Sequence, residues 1–129
     1  MAQFKIYGHR GHLTEIQAPL SDIIHAAAIQ ALGLPADKRF HRFFPLEPEN
    51  FVHPPDRSGK YLVLEISMFA GRTDETRKAL LKLLMAEISK GLDIPINDIE
   101  ITITETPREN WGIRGQTGDE LVLNYKVET

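Results

Sequence analysis

Apolar and polar residues alternate near the start of the chain, over Phe4-Lys5-Ile6-Tyr7, which predicts a short, half-exposed strand. Gly8 and Gly11, with His9 between them and His12 just after, predict a turn. Thr14-x-x-Gln17 then has the form of a capping box, and Leu20, Ile23, Ile24, Ala27, Ala28 and Ala31 fall on one helical face. Pro19 fits this poorly: either the helix starts near it or the first turns are distorted. Gly33-Leu34-Pro35 stops the helix, Arg39 to Leu46 predicts a second strand, and the proline-bearing stretch from Glu47 to Lys60 a long connection. A β-branched, apolar strand from Tyr61 follows and breaks at Gly71, where Thr73-Asp74 supplies helix-capping residue types. Leu80, Leu83, Leu84 and Ile88 mark the buried face of a second helix, closed by Gly91 to Pro95. Strict alternation over Asp98 to Thr104 predicts a further strand, Trp111 to Gly115 a glycine-bearing hairpin or turn, and Leu121 to Val127 a last strand.

The second half restates the first. A constant offset of 60 pairs Ile6 with Ile66, Gly11 with Gly71, Leu20 with Leu80, Leu32 with Leu92 and Pro35 with Pro95. It also pairs Glu49-Asn50 with Glu109-Asn110, and Phe51 with Trp111. Two matching β-α-β stretches by chance would align helix faces. They would not also align glycine, proline and the Glu-Asn-aromatic ends. The pattern predicts one α+β domain over residues 1–129, with internal repeats at about 2–53 and 61–115 and an extension over 116–129. Each β-α-β unit makes two parallel strands with a right-handed crossover. The pair gives a four-stranded mixed sheet with two helices on one face. The opposite face is then bare, and the Ile99-Ile101-Ile103 alternation suggests that partner subunits cover it.

Composition narrows the functional classes. A formal charge of −3 gives no global positive field for nucleic acid or an anionic membrane. The chain has no cysteine, hence no disulfide and no thiolate nucleophile or metal ligand. No apolar run is long enough to span a bilayer, and the opening residues, broken by Lys5, His9 and Arg10, do not read as a signal peptide, so a cytoplasmic protein is expected.

The candidate chemistry gathers at Gly71-Arg72-Thr73-Asp74. A strand feeding a helix N-terminus puts free backbone N–H groups, the positive helix end and a guanidinium together, a natural seat for a small carboxylate. Trp111 either lines a pocket or packs in a core or interface. Arg114 lies close to it and is the next candidate ligand contact. His9 and His12 form H-x-x-H without an acid or cysteine at ligand spacing, so no metal or other cofactor is expected; His12 as a general base is a weaker alternative. His25, His41 and His53 read as structural or surface residues.

The residues Gly71-Arg72-Thr73-Asp74-Glu75, Gly91 to Pro95, Ile103-Thr104-Glu105 and Trp111 to Gly115 resemble the tautomerase superfamily. The second half is similar to the short chain of 4-oxalocrotonate tautomerase. The whole is similar to members with two fused units, such as malonate semialdehyde decarboxylase and cis-3-chloroacrylic acid dehalogenase. The resemblance implies a trimer with active sites at subunit boundaries and small keto, enol or unsaturated acids as substrates. It also implies an N-terminal proline as catalytic base or acid. Ala2 holds that position here, and its amine would be free only after removal of Met1. Arg72 matches the family's carboxylate-binding arginine and Trp111 its pocket aromatic. Asp74 stands where the decarboxylase has a second arginine, Lys38 near its aspartate (Asp37 is one residue off), and Glu100 where the tautomerase has another arginine. The resemblance therefore leads to a homotrimeric, small-carboxylate-binding protein that catalyses tautomerisation, decarboxylation or hydration without the usual proline, or to a non-catalytic trimer that has lost this activity and binds small acids or serves only in assembly.

Overall fold

The computed structural model describes residues 1–123, 125–127 and 129. Strand β1 (Ala2–His9) passes directly into helix α1 (Arg10–Leu32), followed by β2 (His41–Leu46), β3 (Leu62–Phe69), α2 (Asp74–Leu92) and β4 (Ile99–Thr106). The described residues form a four-stranded sheet in the order β2-β1-β3-β4 and a small hairpin of β5 (Gly112–Ile113) and β6 (Gln116–Thr117). Strand β1 runs parallel to β2, β3 parallel to β4, and the two pairs meet antiparallel along β1 and β3. Both helices pack together on one face. The core between helices and sheet holds Phe4, Ile6, Leu62, Leu64 and Ile66 from the central strands against Leu20, Ile24, Leu80, Leu84 and Ile88.

Three expectations change. Helix α1 starts at Arg10, not after Thr14, because Leu13 is fully buried and extends the Leu20–Ala27 face one heptad upstream. Thr14 is therefore intrahelical, its Oγ1 donating to the Arg10 carbonyl at 2.6 Å, and the helix runs through Pro19. Ile99, Ile101 and Ile103 pack against the helix-side core. The register places Lys5, Tyr7, Arg42, Phe44, Glu65 and Glu100 on the open face instead, with Tyr7 stacked on Phe44 and bonded to Glu65. Finally, the described residues between Leu121 and Val127 are not a strand. They keep their alternation, with Leu121 and Val127 buried and Val122 exposed, but they pack around the chain's first residue rather than joining the sheet.

The 60-residue offset persists in the backbone. Strands β1 and β3 superpose in numbering, the short 3-10 turns at Pro48–Asn50 and Arg108–Asn110 correspond, and Gly33 and Asp93 both cap their helices in the left-handed conformation. The units diverge most clearly at their helix starts. Gly11 lies inside α1, whereas Gly71 has φ 128° and leads through Arg72 to the N-cap Thr73, whose side chain accepts from the Thr76 N–H at 3.2 Å. His12 is thus wound into a helix, and its counterpart Arg72 is carried on a non-helical segment ahead of one.

Candidate functional site

Arg72 is only 6% exposed, a rare degree of burial for a guanidinium. It lies near the amino group of Met1 and the phenol of Tyr125, and Arg108 acts on the same two groups. The Met1 amine is hydrogen-bonded to the Tyr125 hydroxyl. Its pKa is pushed down from 8.0 to about 5, first by burial, then by the charges of Arg72 and Arg108. Burial pushes the Tyr125 phenol up, against the opposing pull of Arg72, Arg108 and Arg114. Met1, Lys38, Arg114, Val122, Leu123 and Tyr125 line a cavity of about 210 Å³.

Each group is placed by an identifiable device. Met1 is held at the sheet end by its carbonyl, which accepts from the Phe69 N–H at 3.2 Å, and by burial against Phe69 and Val127. Arg114 sits in the β5–β6 turn, where it and Gly115 both have positive φ (53° and 75°), as a two-residue hairpin of this hand requires. Trp111 meets Phe69 edge-on at 5.0 Å and packs into the apolar cluster behind the cavity rather than lining it. Ala2 is the first residue of β1, 3% exposed and paired with Met68. With Met1 attached its nitrogen is an amide, and the buried amine belongs to Met1.

Sequence reasoning missed Arg108 and Tyr125. The repeat offers a signal for the first. At the offset of 60, Arg72 faces His12, Arg108 faces Pro48, Arg114 faces Pro54, and Lys38 faces the buried acid Asp98. The ring contact survives in both halves, His9 on Phe51 at 5.0 Å matching Phe69 on Trp111. None of these four cations has an arginine or lysine at its repeat position, while the other niche has cations of its own, Arg57 over the Tyr61 ring and Lys60 acting on His12. Four cations around one buried amine favour an anionic ligand on the Arg72 side. Tyr125 lies beyond the repeat and has no counterpart to betray it.

Three of the histidines, His9, His12 and His53, fall on the other side. His9 and His53 meet at their Nε2 atoms, 2.8 Å apart, and the buried Nδ1 of His12 has no hydrogen-bond partner. Burial is the first cause lowering the pKa of both His9 and His12. His25 is buried, its Nε2 within 2.7 Å of the Ala36 carbonyl, and His41 accepts from or donates to the Ser21 hydroxyl at 2.7 Å. Among the described residues no group of three histidines or acids is arranged to hold a metal ion.

Comparison with known proteins agrees with the fold. The family model described as tautomerase enzyme matches residues 38–114, more than half of the chain, and the chain belongs to that family. The 2-hydroxymuconate tautomerases of Stutzerimonas stutzeri and Pseudomonas putida are 33% and 30% identical to it over 59 residues, 46% of this chain and 94% of each relative. Among solved structures, native fused 4-OT is 25% identical with a TM-score of 0.81, covering 92% of this chain and 98% of that one. Malonate semialdehyde decarboxylase shares the fold at 22% identity and the same TM-score, over 93% and 99% of the two chains. No helix among the described residues is long and apolar enough to cross a membrane.

Proposed function

We propose that the Arg72 niche binds a small carboxylate and transfers a proton alpha to its carbonyl, as a keto–enol tautomerase. The observation that carries this reading is the gathering of Arg72, Arg108 and Arg114 from the second repeat and Lys38 from the first around a buried amine. Arg72 and Arg114 hold the acid, Trp111 backs the apolar wall, and the amine takes the proton. An amine with its pKa near 5 is neutral at neutral pH and so has a lone pair available. If Met1 is removed in the cell, the Ala2 amine takes this role. Decarboxylation or hydration of a related acid uses the same groups.

We further assign a single domain of two fused units with an extension over 116–129, from which Val122, Leu123 and Tyr125 wall the niche, in a cytoplasmic homotrimer that needs no cofactor. Fused 4-OT proteins, one of them 28% identical to this chain, have been solved as trimers, and the open sheet face offers a surface for such assembly. A second reading, acid binding without turnover, is favoured by one observation: Ala2 stands where the resemblance expects proline. The two separate on assaying 2-hydroxymuconate and phenylpyruvate with wild type and Arg72→Ala. Turnover that falls in the variant supports the enzyme, whereas acid binding without turnover supports the second reading. Activity indistinguishable between the two proteins contradicts the proposed site.

A further inference from the structure

We propose that the Tyr125 hydroxyl is a ligand-contacting group of this site, donating to the carbonyl oxygen of the bound acid, and that Arg108 is the positioning residue that holds it there. The inference rests on the acid-niche reading above.

Two observations carry it. Tyr125 is a wall of the cavity that Arg114 and Lys38 also line, and its hydroxyl is bonded to the buried amine. The segment that brings it there is tied to the sheet by one side chain. The Arg108 Nε donates to the Gly118 carbonyl at 3.0 Å and its Nη2 to the Leu121 carbonyl at 2.9 Å, while its guanidinium lies over the Phe69 ring. Gly118 makes this path possible, because a Cβ there would come within 2.6 Å of the Arg108 carbonyl oxygen. A planar guanidinium holding two carbonyls fixes the direction in which the chain leaves toward Tyr125. A lysine at this position could not reproduce the two-point grip.

The hydroxyl completes the proton account. The amine lone pair takes the alpha proton, the C–H electrons form the new C=C bond, and the carbonyl π electrons move to oxygen. That oxygen takes the Tyr125 proton, and the enol leaves. The ammonium and the phenolate left behind are already hydrogen-bonded, so the proton passes from nitrogen to oxygen and both groups are restored. Arg72, Arg108, Arg114 and Lys38 stabilise the transient negative charges.

Calorimetry and turnover with phenylpyruvate and 2-hydroxymuconate test this on wild type, Tyr125→Phe, Arg108→Lys and the double variant, each checked for an unchanged melting transition. Tyr125→Phe is expected to weaken binding about tenfold and, where wild type turns over, to lower kcat by about 100-fold or more with loss of the alkaline limb of the pH profile. The groups facing the hydroxyl there are the Met1 amine, the three arginines and Lys38. Arg108→Lys, which keeps the charge, should weaken both in wild type but add nothing to Tyr125→Phe, because it acts through that hydroxyl. Equal binding and turnover by wild type and Tyr125→Phe would overturn the inference and leave the acid niche standing. Failure of wild type to bind either acid would overturn both.

Discussion

Replacing Arg72 with methionine separates the forces acting on the Met1 amine. The amine is held at about 5, from an ordinary 8.0, by burial first, then Arg72, then Arg108. Near neutral pH its neutral form should exceed the ammonium by about 100-fold, whereas an ordinary terminal amine would be only about a tenth neutral. Methionine keeps much of the buried side-chain volume and removes the charge. The pKa should therefore rise, yet remain below 8.0, because the larger cause is untouched. The ascending limb of any activity that needs the free amine moves to higher pH with it. Competitive acetylation across a pH series, read by mass spectrometry on the N-terminal peptide of protein verified to carry Met1, gives both midpoints. A wild-type midpoint near 8 would refute the burial, and a midpoint that falls in Arg72→Met would refute the electrostatic argument.

The equivalent glycines should respond with opposite signs. Gly71→Ala places a side chain at φ 128° and should cost about 1–3 kcal/mol in urea unfolding. Gly11→Ala, in a helix with open space around it, should stabilise by up to about 1 kcal/mol in the same titration. Leu64→Ala, at a fully buried position of the central strand β3, should cost about 2–5 kcal/mol in the urea midpoint analysis.

Periodicity and punctuation located the elements because helix faces, alternating strands and helix stops are local features, and the repeat then dictated how they pair. The same cues misplaced the start of α1. Thr14-x-x-Gln17 has the right residue types for a cap, but the fully buried Leu13 outweighs a hydroxyl that finds the Arg10 carbonyl instead. Alternation also says that one side of β4 is buried without saying which. Ile99, Ile101 and Ile103 turned out to complete the helix-side core, and the open face is charged and aromatic. The residues from Leu121 to Val127 alternate like a strand in sequence, yet Leu123, Tyr125 and Val127 serve a cluster around Met1 and Phe69. Arg72 could be singled out from its glycine and capping neighbours alone. Tyr125 could not, because its role depends on a long-range path set by the Arg108 side chain and Gly118.

The central claim is that, of two repeat-related positions, the one around Met1 and Arg72 holds an acid-binding niche and the one around His12 does not. Calorimetric titration of phenylpyruvate into wild type and Arg72→Ala measures this directly, since it counts sites as well as affinity. The account predicts about one acid per chain, and loss of about tenfold or more in affinity on removing a charge-assisted contact. Two equivalent sites per chain, or binding unchanged in Arg72→Ala, would contradict it.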